Sequence, residues 1–272
     1  MFSIRGRIEA VKFSLKSSTD ENTTNYLKGV FETLVDLHAN YGLDVLHPIP
    51  NDQIFLNNFE RQEFSQFNED GILNRIFEMI GTTDKLYIEE GRPESASVAT
   101  FLERKFGFSK IAEEPPLKFD LLSVGEDWYK LRELLSKYSP RVIVATYNGS
   151  FPPPEDKIAS PDGVETDLTT TYHGASLEAF YKLGRYYGYN VVAAESTGYT
   201  MFMVREEISP NAFYGVNDTM LLYRTPKMGH TPCAEGGESH TEECLQTYRL
   251  DGIHGYKKKD GKWTSADAQL AI

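Results

Sequence analysis

Lys85-Leu-Tyr-Ile-Glu-Glu-Gly91 is an apolar run that closes on two acids and a glycine. Runs of the same kind recur at Phe119-Asp-Leu-Leu-Ser-Val124 and Arg141-Val-Ile-Val-Ala-Thr-Tyr147. Helical patterns separate them, and strand, helix, strand in succession predicts a parallel sheet. Open parallel sheets place ligands in the crevice outside the carboxyl ends of their strands, so a site is expected at the Glu89-x-Gly91 turn.

Upstream of this stretch, Asn68-Glu-Asp70 sets acids in the first turn of a helix, where they oppose the dipole favourably. Its inner face is Ile72, Leu73, Ile76, Phe77 and Ile80, and Gly81 stops it. After Gly91 a helix presents Val98, Phe101, Leu102 and Phe106 and ends at Gly107. Lys110-Ile-Ala-Glu113 is a short candidate second strand. Asp127 is a good N-cap for a helix carrying Trp128, Leu131, Leu134 and Leu135. From Asn148 to His173 runs a loop of about 26 residues, and loops longer than about 15 residues inside a compact domain are usually functional lids or disordered. A helix from about Ser176 to Tyr187 follows. Tyr189 to Glu195 and Thr200 to Arg205 then read as an antiparallel hairpin.

The flanks differ from this core. Met1 to Ser18 has Arg5, Arg7, Lys12 and Lys16 around apolar residues at helical spacing, a pattern shared by a packed helix and a targeting segment. A second amphipathic helix begins near Tyr26, and His47-Pro-Ile-Pro50 opens an irregular connection. Beyond Ile208 the chain turns polar and Gly-rich. The expected organisation is a helical N-terminal extension over 1–62, an α/β domain over 63–208 and a polar C-terminal extension over 209–272.

With 272 residues, 40% hydrophobic and 25% charged, the chain is long enough to bury a full core. Its formal net charge of -12 opposes nonspecific binding to nucleic acid or anionic lipid. No apolar stretch approaches the roughly 20 residues of a membrane span, and a cytoplasmic location is expected. Cys233 and Cys244 are the only cysteines. Free thiols are the plain reading; a single disulfide, or a metal site with His230 and His240, is the alternative.

Between Ser65 and Ile208 the residues resemble the FkbM-like branch of the class I methyltransferases. The likeness is carried in order by Ser65-Gln-Phe-Asn-Glu-Asp-Gly-Ile72, Tyr147-Asn148 with Phe151-Pro-Pro153, Tyr172-His-Gly-Ala-Ser-Leu177 and Gly188-Tyr-Asn-Val-Val192 before the hairpin. The resemblance implies a mainly parallel sheet flanked by helices, with one antiparallel strand supplied by the closing hairpin. It also implies S-adenosylmethionine (SAM) across the tips of the first strands, received by Glu89 and Gly91 and, at its ribose, by Glu113 or Glu114. The activity so implied is methyl transfer to an oxygen or nitrogen of a small-molecule acceptor.

The chain departs from that pattern in three places, so a degenerate cofactor site is expected. Arg92-Pro93-Glu94 stands where the family has further glycine, which lets backbone approach the cofactor. Gly125 stands where the family has an acid. Only Pro115-Pro-Leu-Lys118 separates the second candidate strand from the next, whereas a parallel crossover needs about a dozen residues. Either Lys110 to Glu113 is barely a strand, or one edge of the sheet is missing.

Two catalytic candidates follow. His173 at the mouth is a candidate general base near neutral pH, and Asn148 at a strand end is a candidate for positioning an acceptor. Their ordinary roles are a cap or surface histidine and a turn asparagine. Tyr147, Tyr172 and Phe151 read as acceptor-pocket lining or as aromatic core. Glu126 with Asp127 invites a metal, but the N-cap role already accounts for Asp127, and no metal is expected. The alternative to an enzyme is a non-catalytic descendant of the fold that binds a protein partner through its flanking segments.

Overall fold

Each of the three apolar runs forms a strand, and the connections between them place the strands side by side. The computed structural model describes residues 52–65, 67–92, 97–159, 173–224 and 263–271. The expected helices before His47 and the two cysteines lie outside the described residues.

The strands are β1 (Leu86–Glu90), β2 (Ser109–Lys110), β3 (Leu121–Val124), β4 (Val142–Thr146), β5 (Ile158–Ala159), β6 (Tyr189–Ala194), β7 (Thr200–Arg205) and β8 (Trp263–Thr264). Six of them make one sheet in the order β2-β1-β3-β4-β7-β6. The first four are parallel, and β7 runs antiparallel to both β4 and β6. β5 and β8 form a separate antiparallel pair. This is a mixed α/β protein with a mostly parallel sheet, as the alternation of patterns predicts.

The helices are α1 (Glu69–Ile80), α2 (Ala99–Phe101, continued by a π-type turn over Leu102–Phe106), α3 (Trp128–Lys137), α4 (Leu177–Tyr186), α5 (Thr219–Leu222) and α6 (Ala266–Leu270). Side chains alternate across a strand, and the two core clusters follow that alternation. Ile88, Leu122, Ile143 and Met203 pack with Trp128 and Leu131 of α3 and Phe180 of α4. Tyr87, Leu121, Val142 and Phe202 pack with Ile72 and Phe77 of α1 and Phe101 of α2. Caps end the helices where the sequence calls for them: Asp127 accepts from Lys130 N at 2.9 Å, and Gly107 adopts φ 68° after α2.

The edge beside β1 is short. β2 has two exposed residues and begins one residue before the expected Lys110–Glu113 run, because Ser109 N and Ile111 N donate to Lys85 O and Tyr87 O and the chain then bends away at Glu113. Among the described residues no strand lies beyond it. The four residues Pro115–Lys118 are too few for another crossover.

At the other flank, parts of both expected extensions enter the same core. Leu56 and Phe213 are buried in one cluster, Leu222 and Ala266 in the other. Ile54 forms a bridge with Phe213.

α1 is pressed onto the backbone of residues 59–61. A Cβ at Gly71 would lie 1.8 Å from Phe59 O and 2.8 Å from Arg61 N. Backbone cannot yield as a side-chain tip does, so Gly71→Ala is expected to cost about 1 to 3 kcal/mol through overpacking. Denaturant titration checks this as a lowered midpoint with an unchanged slope.

Candidate functional site

In the order β2-β1-β3, the chain steps from β1 outward to β2 and then returns to the other side of β1. The strand ends of β1 and β3 therefore flank the topological switch point, where open α/β sheets bind ligands. α2 leaves on one face and α3 on the other.

The switch point is bridged by backbone. Gly125 N donates to Glu90 O at 2.9 Å, so the ladder continues one residue past the strands. A Cβ at Gly125 would stand 2.3 Å from Gly91 O. Gly125, with no Cβ, thus lets the two strand tails touch.

On the α1 face a buried ionic chain runs across the strand ends. The Arg92 and Glu69 side chains are both fully buried, and Arg92 Nη2 bonds Glu69 Oε1. Thr200 Oγ1 donates to the same oxygen at 3.2 Å, and Phe67 N donates to Glu69 Oε2 at 3.1 Å. Thr200 opposes Thr146, so it sits at the carboxyl end of β4. The chain from Arg92 to Thr200 crosses from β1 to β7, three strand spacings or about 14 Å. Next to it Glu195, fully buried, accepts from Thr197, Tyr199 N and Thr200 N.

Burial pushes the Glu69 carboxyl up; Arg92 opposes that shift and Glu195 adds to it. Burial likewise raises Glu195, against the hydrogen bonds of Thr197, Tyr199 and Thr200. Among the described residues, Arg92 Nε, Arg92 Nη1 and Ser123 Oγ are buried without a hydrogen-bond partner.

The sequence candidates fall into three places. Glu89 faces the α1 side, but its carboxylate accepts from Ser97 Oγ at 2.5 Å and Val98 N at 3.1 Å, which fixes the start of α2. Gly91 takes φ +67° and lies against Gly125. Glu113 and Glu114 are exposed in the bend after β2.

His173 and Asn148 meet at the tips of β3 and β4. Asn148 Nδ2 donates to His173 O at 2.9 Å, and Asn148 Oδ1 accepts from Ser150 N at 3.0 Å. His173 Nδ1 lies 2.5 Å from Glu126 Oε2, with the histidine side chain 8% exposed. Burial penalises the Glu126 carboxylate, but the charge of His173 and its hydrogen bond outweigh that and hold it below the usual range. Tyr147 is buried core, bonded to Arg224 O at 3.1 Å, and Phe151 is buried against Trp263. Tyr172 lies outside the described residues. With Asp127 capping α3 and Glu126 on His173, the described residues bring together no group of three metal-ligating side chains.

Glu69, Arg92 and Thr200 are not among the sequence candidates, and Glu126 is read there only as a metal ligand beside Asp127, not as the partner of His173. Glu69 reads as a first-turn acid and Arg92 as bulk after a glycine. The one signal for their pairing is that an arginine beside a strand-end turn needs a counter-charge when buried.

No family model, curated protein or solved structure matches this chain. Fold and site define it as a mixed α/β protein with a six-stranded, mostly parallel sheet flanked by helices. Among the described residues no helix is long and apolar enough to cross a membrane.

Proposed function

We propose that this chain is a class I methyltransferase-like protein whose cofactor crevice is closed by its own residues, and that it acts as a non-catalytic binding or assembly module. The antiparallel β7 in the closing hairpin agrees with the resemblance read from Ser65 to Ile208, whereas the shortened edge at β2 is one of the departures that make the cofactor site degenerate. Fold likeness does not decide function, so the reading rests on the site.

The observation that carries it is Arg92. Its side chain, fully buried and paired with Glu69, runs across the strand ends where the methionine half of SAM would lie. Gly125 against Gly91 removes the space between the two strand tails, and Glu89 already holds Ser97 and Val98. The residues present do not fit SAM.

Methyl transfer to a small-molecule acceptor is the second reading. It is favoured by His173, Glu126 and Asn148 clustered at the tips of β3 and β4. Calorimetric titration of the full chain with SAM and with its demethylated product separates the two. The expected outcome is a dissociation constant in the range of about 1 mM or weaker, the 10³-fold loss that two or three impaired contacts produce. Micromolar binding that disappears in Glu89→Ala would make the enzyme reading the better one.

A further inference from the structure

Residues 263–271 lie on a surface made by the segment after β4 and by α4. β8 adds to β5 antiparallel, with Ile158 opposite Thr264 and Ala159 opposite Trp263. Trp263 stands edge-on to Phe151 with ring centroids 4.8 Å apart. Ser265 Oγ caps α6 by accepting from Ala268 N at 3.2 Å, and Ala266 is fully buried.

Asp156 clips the helix start: Oδ1 accepts from Ala266 N at 2.9 Å and Oδ2 from Asp267 N at 3.4 Å. Lys182 Nζ lies between Asp156 at 2.9 Å and Asp267 at 2.5 Å. Strand addition, an aromatic anchor, a buried small residue and a charged clip are the devices by which grooves bind short peptides. Here all four act within one peptide-length segment.

We propose that this surface, built from Phe151, Asp156, Ile158 and Lys182, is a peptide-docking groove that residues 263–271 fill in cis, and that its partner in trans is the same segment of a second copy of this chain. The inference deepens the binding-module reading and rests on it. The seated segment identifies this occupant, since every second copy carries the same Trp263, Ser265 and Asp267 pattern. Exchange of an identical element between protomers is a low-cost route to assembly.

The probe is a labelled synthetic peptide of residues 261–272, added to the full chain and followed by fluorescence anisotropy. The seated segment competes at an effective concentration on the order of 1 mM. Loosening it by Trp263→Ala is therefore expected to tighten peptide binding at least tenfold over the unaltered chain. Asp267→Ala, whose side chain is 74% exposed and outside the core, is expected to move binding the same way by less. An unlabelled peptide carrying both substitutions should compete at least tenfold more weakly than the natural one, a readout independent of how any protein variant folds. Asp156→Ala should remove the binding. No binding by any of these proteins, or binding indifferent to both Asp156→Ala and the altered peptide, would overturn the proposal. SAM binding would instead sink the crevice reading and leave this measurement standing.

Discussion

Asp120→Ala is expected to destabilise the protein by about 3 to 5 kcal/mol, the range for breaking a buried pair from one side. Asp120 sits at the end of the sheet opposite the candidate site, fully buried. Its carboxylate accepts from Thr83 N, Thr83 Oγ1, Asp84 N, Lys85 N and Arg141 Nη1. Arg141 also donates to Gly81 O and Ile80 O. Asp120 thus ties the turn before β1 to the entry of β4, and does so partly through Arg141, which itself holds the carbonyls ending α1. Its removal leaves three backbone donors and a largely buried guanidinium unmatched.

The pH dependence has a definite sign. Burial raises the Asp120 carboxyl, but Arg141 and the Lys85 and Thr83 hydrogen bonds outweigh it and hold the group below its ordinary value. A depressed folded pKa gives stability that is present above the unfolded value, about 3.9 for aspartate, and lost as pH falls through the folded value. The gap between the natural chain and Asp120→Ala should therefore be full at pH 7 and narrow below about pH 4. Urea titrations across that range measure it; a gap that stays constant with pH would contradict the ionised role of Asp120.

Periodicity made most of the fold legible and little of the site. α1, α3 and α4 stand at the expected residues because each buries one continuous apolar face, and the β6–β7 hairpin does so because its two apolar runs, buried on both faces, flank the Ser196-Thr-Gly198 turn. The short edge at β2 was legible for another reason, chain reach, since four residues between strands leave room for little else. The Glu69–Arg92 pair was not, because its members are 23 residues apart and each has an ordinary local role. His173 and Glu126, 47 residues apart, meet only once β3 and β4 lie side by side. The 263–271 segment was hidden in a polar stretch, its few apolar residues being too sparse to set a period. Its helix is held by Asp156, 110 residues upstream of Ala266.

Arg92→Ala is the second substitution with a large expected effect, about 3 to 5 kcal/mol at neutral pH, and it tests the crevice directly. The change leaves Glu69 fully buried beside Glu195 with no counter-charge. Glu69 already titrates above its ordinary value, mainly through burial. A raised folded pKa gives a stability contribution that is complete below the unfolded value and is lost as pH rises through the folded value. Without Arg92 that value rises further, so the deficit of the variant should be small near pH 4 and grow toward pH 7, opposite to Asp120→Ala. Adding Glu69→Gln removes the uncompensated charge and is expected to recover most of the loss at pH 7. A double variant no more stable than Arg92→Ala alone would show that packing of the arginine stem, not charge, is what matters. Because Gly125 still meets Gly91 in the double variant, SAM should remain a poor ligand there. Micromolar SAM binding in that variant would identify Arg92 as the sole closure of the crevice.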